Sequence, residues 1–372
     1  MPWAPARGAP TTQMKRTQVI REKMYTAEIR QTAKKRFRGT CRVCRICDGR
    51  ACAGEMPGMG GVGTGASFIA NVEALAAIRL TMRVIHDVSE PDISFELFGH
   101  QLSMPILAAP LAGVSPNMRD AITEEELALA MVGGSTAAGS IGFTGDGPNP
   151  VHFSAGLEAV KAHGGRGIPI VKPRPAQEIL KRVRQAEQAG AWAVGVDVDA
   201  AGILNMVRAG QPVGPKSAQE WAEIITATDL PFVLKGIMTV EDAEASAEAG
   251  AAAIVVSNHG GRVLDHTPGT AEVLPDIAKA VRGDVTVLVD GGVRSGVDVL
   301  KMLALGADAV LVGRPLAIAA VGGGAEGVSM TLEQYADQLR SAMILTGCAS
   351  LDRMNNSILS PSYDTYPSHS DH

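Results

Sequence analysis

The segment SNHGGRVLD, which begins at Ser257, brings a histidine, two glycines, an arginine and an aspartate into one short stretch. It follows the apolar run AAAIVV, which predicts a buried strand. His259 can exchange a proton near neutral pH, and Arg262 carries a permanent, forked cation. A strand that ends on such residues predicts a functional site at its carboxyl end.

Two further segments combine glycine with arginine after predicted strands. DGGVRSG spans Asp290–Gly296, and VGRP spans Val312–Pro315. Glycines there let backbone N–H groups approach an anion, while Arg294 and Arg314 can supply charge-assisted hydrogen bonds. The two segments predict a phosphate-bearing ligand; two ordinary turns with surface arginines are the alternative.

Four closely spaced cysteines in the segment CRVCRICDGRAC form a third candidate site. In a chain without the marks of secretion, such an array predicts metal ligands. A zinc site and an iron–sulfur cluster both fit the ligand count, and a redox or disulfide role is the alternative. The predicted ligands are Cys41, Cys44, Cys47 and Cys52, whereas Cys348 stands apart and is expected to pack in the core.

From about Pro105 onward, short apolar runs alternate with amphipathic stretches of helical length. The helix candidates include TEEELALAMV, AQEILKRVRQAEQAG, VEDAEASAEAG and GVDVLKMLALG. Eight apolar strands imply a parallel sheet covered on both faces, and eight β/α units in about 250 residues predict a TIM barrel. A doubly wound open sheet is the alternative. The strand candidates are PILAAPL, STAAGS, IPIVKP, WAVGVDVDA, FVLKGI, AAIVVSNHG, TVLVDGG and AVLVGRP.

Polar or ionisable side chains stand where several of these strands end. In a barrel the carboxyl ends of all strands meet at one mouth, which is where active sites lie. These side chains are therefore predicted to share one site. They are Lys172, Asp197, Asp199, Lys235, Ser257, His259, Asp290 and Arg314.

The composition limits the remaining classes of function. Hydrophobic residues make up 46% of the 372 residues and charged residues 20%, so a large core is expected. The net charge of −5 argues against a general nucleic-acid-binding protein. No apolar run approaches the ~20 residues of a membrane span, and the first residues lack the apolar core of a signal peptide. We therefore expect a cytoplasmic protein without a membrane span.

The chain divides into four predicted parts. Residues 1–40 are expected to form a basic tail or helix with a solvated face, or alternatively a contact with an acidic partner or another subunit. Residues 41–66 hold the cysteines and the stretch GEMPGMGGVGTGA, which is expected to lack regular structure. Residues 67–355 are expected to form the barrel, and residues 356–372 a C-terminal tail.

The segments SNHGGRVLD, VLKG, LVDGGVRSGVDVLKMLALGADAVLVGRP and LTGC closely resemble those of the FMN-dependent α-hydroxy acid oxidases and dehydrogenases. That family includes glycolate oxidase, lactate oxidase and lactate monooxygenase, and the resemblance covers roughly Ser94 to Met354. It implies an FMN-dependent enzyme that oxidises a small 2-hydroxy acid, similar to lactate or glycolate, to the 2-oxo acid. It also implies a homo-oligomer, a tetramer or an octamer, and leaves the electron acceptor open.

The resemblance also assigns roles to residues of this chain. His259 would be the active-site base, Arg262 would bind the substrate carboxylate, and Asp199 would orient the base. Lys235 would lie against the N1/O2 edge of the flavin, where a cation stabilises the reduced ring. The expected FMN contacts, besides Lys235, are Pro110, Leu111, Ala112, Ser140, Asp197, Ser257, Asp290, Gly291, Gly292, Val293, Arg294, Gly313 and Arg314.

The chain departs from the family pattern where substrate would bind. The family carries active-site tyrosines in two segments that are GGVGTGA and IPIVKPRP here, without a tyrosine. Pro169 stands near a family glutamine, and Met206 stands where a second substrate-binding arginine is expected, unless a shift places Arg208 there. Lys172 is either a replacement cation that faces the ligand or a salt-bridged lysine at a strand end.

These departures keep two other functions open. One is an FMN-dependent isomerase that resembles type 2 isopentenyl diphosphate isomerase, for which the missing tyrosines are no obstacle. The other is a flavin-binding sensor or assembly subunit without hydroxy acid turnover, which would dock a partner through the cysteines and the basic N-terminus.

Overall fold

The computed structural model describes residues 26–360 and contains a closed barrel of eight parallel strands. Two short antiparallel strands, β1 (Phe95–Leu97) and β2 (His100–Leu102), precede the barrel. The last barrel strand pairs with the first, with Val310 beside Ile106, which confirms the predicted TIM barrel over the open sheet. The barrel strands are β3 (Ile106–Leu111), β4 (Gly142–Thr144), β5 (Gly167–Val171), β6 (Val194–Asp197), β7 (Phe232–Ile237), β8 (Ala253–Val256), β9 (Thr286–Val289) and β10 (Ala309–Val312).

The barrel strands are apolar on both faces because both faces are covered. On β3, Leu107 and Ala109 point into the barrel and pack in an inner core. Ile106 and Ala108 alternate with them, point outward and pack beneath the helices. The same alternation continues to the carboxyl ends of the strands, so it decides which side chains reach the mouth of the barrel.

Helices cover the outside of the barrel, and several begin at residues that cap them. Thr123 and Glu126 form a capping box at one start, and Ser217 and Glu220 form another. The last helix is broken at Gly324, where φ is 58° and ψ is −147°. The helices are α1 (residues 26–36), α2 (Ala66–Ala77), α3 (Val114–Met118), α4 (Glu124–Ala137), α5 (Val151–Ala162), α6 (Ala176–Gln188), α7 (Leu204–Arg208), α8 (Ala218–Ile225), α9 (Val240–Glu248), α10 (Thr270–Ala280), α11 (Gly296–Ala304) and α12 (Arg314–Thr346).

One predicted strand is wrong. The segment STAAGS completes α4 as far as Ala137 and then turns, and β4 begins only at Gly142. The cause is the close packing of α4 on α12, where a Cβ at Gly134 would overlap Val328. The helix meets its neighbour with small residues, so this stretch lacks the recurrence of large apolar residues every three to four positions that reveals a helix in a sequence.

A hairpin of β1 and β2 closes the amino end of the barrel. Leu97 and Leu102 pack against the inner core together with Leu107. His100 in the hairpin stacks on Trp192, with ring centroids 3.7 Å apart. The interior is therefore filled and covered at this end, and the carboxyl mouth is the side at which a ligand can enter.

The segment before α2 packs on the last helix instead of standing apart. Ile29 is buried, and a Cβ at Gly322 in α12 would overlap it. Arg36 donates from Nη1 to Val321 O at 2.8 Å, and Arg30 donates from Nη2 to Cys44 O at 2.8 Å. Residues 53–65 contain turns and isolated bridges, so the glycine-rich stretch lacks helices and strands as predicted.

The proposed boundaries of the four parts stay predictions. Residues 1–25 of the basic tail and 361–372 of the C-terminal tail lie outside the described residues. Within residues 26–360, no helix is both long and apolar enough to cross a bilayer. Cys348 is buried at 4% exposure, as expected for a core residue.

Candidate active site

The mouth of the barrel carries polar side chains because the strand alternation turns them inward. Val196 and Val256 face the outer layer, so the residue that follows each of them points into the barrel. The structure brings five such strand-end residues together, and each is at most 8% exposed. They are Lys172, Asp197, Lys235, Ser257 and Asp290.

These five side chains form one connected network. Lys172 Nζ lies 2.7 Å from Asp197 Oδ2. Lys235 Nζ lies 3.4 Å from Asp197 Oδ1 and 3.5 Å from Asp290 Oδ2, and it donates to Ser257 Oγ at 3.1 Å. Ser257 Oγ in turn donates to Asp290 Oδ1 at 2.7 Å. Every charged group of the network therefore has a partner of opposite charge.

Burial and ion pairing shift the pKa values of Asp197 and Lys235 in opposite directions. Burial alone would raise the pKa of Asp197, yet the ammonium groups of Lys172 and Lys235 outweigh it and hold that pKa below its usual range. Burial would lower the pKa of Lys235, yet Asp290 and Asp197 outweigh it and raise that pKa. Both groups stay charged at neutral pH, so a fixed ammonium is held ready to stabilise negative charge on a bound group.

His259 pairs with an aspartate beside this network. Its Nδ1 lies 3.0 Å from Asp199 Oδ1, and its backbone N donates to Ser257 Oγ at 3.0 Å. A carboxylate only accepts, so Nδ1 carries the proton of the neutral ring and Nε2 keeps a free electron pair. A Cβ at Gly236 would overlap the Asp199 side chain, which explains the glycine after Lys235. This is the arrangement of a general base with an orienting carboxylate.

Three arginines crowd the rim beside β9 and β10. Arg262 donates to carbonyl oxygens of loop 58–60 at 2.7 and 3.1 Å and to Asn117 Oδ1 at 2.8 Å. Arg314 donates to the same loop at 2.8 and 3.1 Å. Burial lowers the pKa of Arg262 to about 10, and burial with the charges of Arg262 and Arg294 lowers that of Arg314 to about 9. Their acceptors are neutral, so the cluster has the character of an anion site.

The loops after β9 and β10 fit a phosphate group. The guanidinium carbons of Arg294 and Arg314 lie 5.6 and 3.7 Å from the ring centroid of Phe68, so one ring supports both cations. Gly291 and Gly292 have φ of 108° and 77°, and a Cβ at Gly292 would overlap the Asn71 carbonyl oxygen. Only glycine fits there, and its N–H groups can face an anion directly.

Other expected FMN contacts lie at the same end of the barrel. Pro110 and Leu111 end β3 and are followed by Ala112. Val293 is buried in the loop after β9, and Gly313 lies directly before α12. The structure therefore places these residues around the mouth.

The sequence-based assignment of Ser140 as an FMN contact is wrong. Ser140 precedes β4 at the amino end of the strand, and its hydroxyl donates to Ile106 O at the start of β3. It is fully buried there, at the opposite end of the barrel from the mouth. The inward-facing position at the carboxyl end of β4 belongs to Gly145, which follows Thr144.

Some residues that position the site were not found from the sequence. Asn258 Oδ1 accepts from Asn71 Nδ2 at 2.8 Å and from Gly261 N at 3.1 Å. Asp265 accepts from Thr64 N at 2.5 Å and from Thr64 Oγ1 at 2.8 Å. Asn258 and Asp265 lie inside SNHGGRVLD and could have been named, whereas no local signal marks Asn71 or Thr64.

The departures from the family pattern have a structural counterpart. Lys172 faces the mouth, but its ammonium is salt-bridged to Asp197. Met206 is fully buried in α7, and Arg208 at the end of that helix is exposed. Lys172 is therefore neutralised by its partner, and Arg208 points to solvent. In the described structure, neither Lys172 nor Arg208 replaces the family's second substrate-binding cation.

Fold and site together define a TIM-barrel enzyme with an anion site, a buried cation and a His–Asp pair at one mouth. The model of the FMN-dependent dehydrogenase family matches residues 58–211 and 205–361 of this chain. The segment Cys41–Cys52 lies before the matched region. The chain belongs to the FMN-dependent dehydrogenase family, and it is an FMN-dependent enzyme.

Similar proteins with established names agree with this placement. 4-Hydroxymandelate oxidase of Amycolatopsis orientalis is 38% identical over 331 residues, which are 78% of this chain and 89% of that protein. L-lactate oxidase of Alicycliphilus denitrificans is 33% identical, over 82% of this chain and 90% of that protein. Glycolate oxidase of Spinacia oleracea is 31% identical, over 79% and 87%.

The fold is also similar to that of a solved enzyme. The crystal structure of mandelate oxidase with 3,3-difluoro-2-hydroxy-3-phenylpropionic acid superposes with a TM-score of 0.71 at 33% identity. The superposition covers 90% of this chain and 98% of that one.

Proposed function

We propose that the protein oxidises a 2-hydroxy acid to the corresponding 2-oxo acid with FMN as cofactor. The observation that carries the proposal is the His259–Asp199 pair, 3.0 Å apart, at the mouth where Lys235 is buried as a cation. A base, a carboxylate that supports it and a fixed positive charge are what this oxidation requires of the protein. The family and the named relatives support the same class of reaction.

FMN would be held chiefly by residues after the last barrel strands. Arg294, Arg314 and the N–H groups of Gly291 and Gly292 would take its phosphate. Lys235 would lie against the N1/O2 edge of its ring. When bound, FMN supplies the acceptor for the hydride that leaves the α-carbon.

His259 takes the hydroxyl proton of the substrate at Nε2. Asp199 holds the Nδ1 proton, which fixes the tautomer that leaves Nε2 free. As the proton arrives, the ring becomes positive next to the Asp199 carboxylate, and Asp197 Oδ1 lies 4.0 Å from Nδ1. Both carboxylates stabilise the protonated ring.

Arg262 binds the carboxylate of the substrate. Its guanidinium is partly buried and donates to neutral oxygen atoms, so a carboxylate would offer it a stronger, charge-assisted partner. Because two family tyrosines are absent and Met206 replaces an arginine, the substrate depends on Arg262 for recognition of its acid group. We expect the substrate to be a small acid similar to lactate or glycolate. Because some relatives are named for mandelate, an aromatic hydroxy acid should be tested beside it.

An anaerobic absorbance titration tests the proposal. The protein with bound FMN is titrated with lactate, glycolate and mandelate, and at least one of them is expected to bleach the flavin band. Propionate is the matched control, since it has the carboxylate but no hydroxyl to oxidise, and it should leave the band unchanged. If every hydroxy acid leaves the flavin oxidised, the proposal is wrong and the isomerase or the sensor function takes its place.

Three finer assignments rest on sequence reasoning. We propose that the four cysteines bind a metal centre. The cytoplasmic location and the homo-oligomeric state stay predictions.

A further inference from the structure

The four clustered cysteines face one cavity. Cys41, Cys44, Cys47 and Cys52 all line it, and Arg314 completes the wall on the barrel side. None of the four forms a disulfide, and each is partly exposed. Four free thiols around a common space form a potential ligand set. The sequence spacing alone could not show that all four thiols face the same cavity.

The spacing of the sulfur atoms distinguishes between the two candidate centres, zinc and an iron–sulfur cluster. A tetrahedral zinc site with Zn–S bonds of about 2.3 Å needs its sulfurs about 3.8 Å apart. In the described chain, the only three His, Cys, Asp or Glu ligand atoms within 4.8 Å of one another belong to Asp197, Asp199 and His259. No three of the four Sγ atoms lie within 4.8 Å of one another, so their spacing favours a ligand set wider than that of a single zinc ion. A cubane cluster holds its thiolates farther apart, because iron and sulfide lie between them.

The surroundings of the thiols suit a negatively charged cluster. Val43 N donates to Cys41 Sγ at 3.5 Å, and Arg294 Nη2 donates to Cys47 Sγ at 3.6 Å. Hydrogen bonds to sulfur are a usual means of tuning iron–sulfur centres. The spacing CxxCxxC is also the one found at the start of bacterial ferredoxin motifs.

The cysteine cavity adjoins the site proposed for the FMN phosphate. Arg294 Nε donates to Cys47 O at 3.0 Å, and Arg314 lines the cavity itself. Both arginines also belong to the phosphate site. A centre bound by the cysteines would therefore be a direct neighbour of the cofactor.

We propose that Cys41, Cys44, Cys47 and Cys52 bind a [4Fe–4S] cluster that passes electrons from FMN to a one-electron carrier protein. The inference rests on the proposed hydroxy acid oxidation. The acid loses two electrons and two protons as the C–H and O–H bonds break and the C=O bond forms. The electrons leave FMN one at a time through the cluster and reduce two carrier molecules, and both protons go to solvent.

The outer surface of the cysteine segment fits a carrier with an acidic face. Ile46, between two of the cysteines, is 64% exposed, and Arg45 beside it is exposed as well. Helix α1, which contacts this segment through Arg30, adds the exposed Lys34 and Lys35. An exposed apolar side chain, with positive charges on its own segment and on the helix that contacts it, favours an acidic protein as partner.

Metal and sulfide analysis of protein purified without oxygen tests the cluster itself. We expect about four iron and four sulfide per chain and loss of both in Cys44→Ala. Cys348→Ala is the matched control, because it removes a buried thiol outside the cavity and should keep the iron. Cys52→Ser repeats the test if Cys44→Ala does not fold. Zinc without sulfide, two iron instead of four, or no metal would overturn the assignment.

A reductive titration tests the electron route and separates it from the proposed oxidation. Dithionite should deliver about three electrons per wild-type chain, two to FMN and one to the cluster, and about two to Cys44→Ala. The hydroxy acid that bleaches the flavin should also produce the electron paramagnetic resonance signal of the reduced cluster. A cluster that stays oxidised while FMN is bleached would overturn the relay alone. A cluster that dithionite reduces in a protein whose flavin no acid bleaches would instead contradict the proposed oxidation.

Discussion

The barrel mouth and the cysteine segment both gather reactive side chains, but the chain holds them in different ways. At the mouth each side chain stands at a strand end, where the alternation of the strand fixes its direction. Lys235 is only 3% exposed and is held by carboxylates on two sides. The cysteines lie in a segment whose regular structure is the short 3₁₀ turn Arg50–Cys52, and their thiols are partly exposed.

The difference shows that the two regions can be altered separately. The mouth lies within the region matched by the family, and the cysteine segment lies before it. Arg294 and Arg314 border both sites. Variants away from these two arginines should separate the regions: changes at His259 should abolish oxidation and leave the iron in place, whereas changes at Cys44 should remove the iron and leave flavin bleaching intact.

The largest effect is expected for His259→Asn. Loss of a general base costs about 10²- to 10⁴-fold in rate, so flavin bleaching by the hydroxy acid should slow by that factor in anaerobic stopped-flow. His266→Asn is the matched control, because His259 and His266 both have left-handed backbones, with φ of 58° and 61°, and asparagine tolerates that conformation. Equal rates in the two variants would remove His259 from the reaction.

A smaller effect is expected for Arg262→Lys. The charge remains but the fork that grips a carboxylate with two bonds is lost. One charge-assisted hydrogen bond contributes about 1.5–3 kcal/mol, so KM for the hydroxy acid should rise about 10- to 100-fold with iron content unchanged. A fall in kcat at constant KM would contradict the binding role.

Gly292→Ala should weaken FMN binding. The left-handed backbone at this position costs a non-glycine residue about 1–2 kcal/mol, and the new Cβ would overlap the Asn71 carbonyl. We expect the Kd for FMN to rise about tenfold or more, measured by fluorescence titration of the apoprotein. Gly283→Ala has the same backbone strain, with φ of 90°, but open space around the Cβ, and it should keep its FMN affinity.

Lys172→Met should lower the free energy of unfolding by about 1–3 kcal/mol, because Asp197 loses a charge-assisted partner but keeps Lys235. The folded-state pKa of Asp197 is below its usual value. The pairing therefore stabilises the fold above the unfolded-state pKa of about 3.9 and is lost as pH falls through the folded-state value.

Denaturant unfolding at neutral pH and near pH ~3 would check this, since the difference between wild type and Lys172→Met should shrink toward acid pH. The exposed Lys161→Met should show no such difference. A constant difference at both pH values would show that Lys172 contributes packing and not charge.

The sequence predicted the barrel and the inward residues of its mouth because both follow from local patterns. A run such as AAIVV is long enough to mark a strand, and the next residue in the alternation must turn inward, as Ser257 does. The prediction of a strand at STAAGS was wrong because small residues occur in tightly packed helices as well as in buried strands. Ser140, which the family resemblance assigned to FMN, ends the same segment, and its hydroxyl donates to Ile106 O at the amino end of the barrel instead.

Contacts between distant parts of the chain were beyond reach. Asn71 supports Asn258 from α2, and Thr64 is bound by Asp265, yet neither pair leaves a periodic signal. The direction of Arg262 toward loop 58–60 could not be inferred either, because it depends on how an irregular glycine-rich segment folds over the mouth. The common cavity of the four cysteines could not be inferred from local sequence patterns either.

The hairpin of β1 and β2, with His100 stacked on Trp192, has a kinetic consequence. Because it blocks the amino end of the barrel, the hydroxy acid and the oxo acid must share one opening. An oxo acid held by Arg262 in that mouth would exclude the hydroxy acid from the oxidised enzyme, so it should inhibit competitively against the hydroxy acid. A carrier that docks at Ile46 uses another face of the protein, so its saturation curve should be insensitive to a substrate analogue that fills the mouth without reducing the flavin.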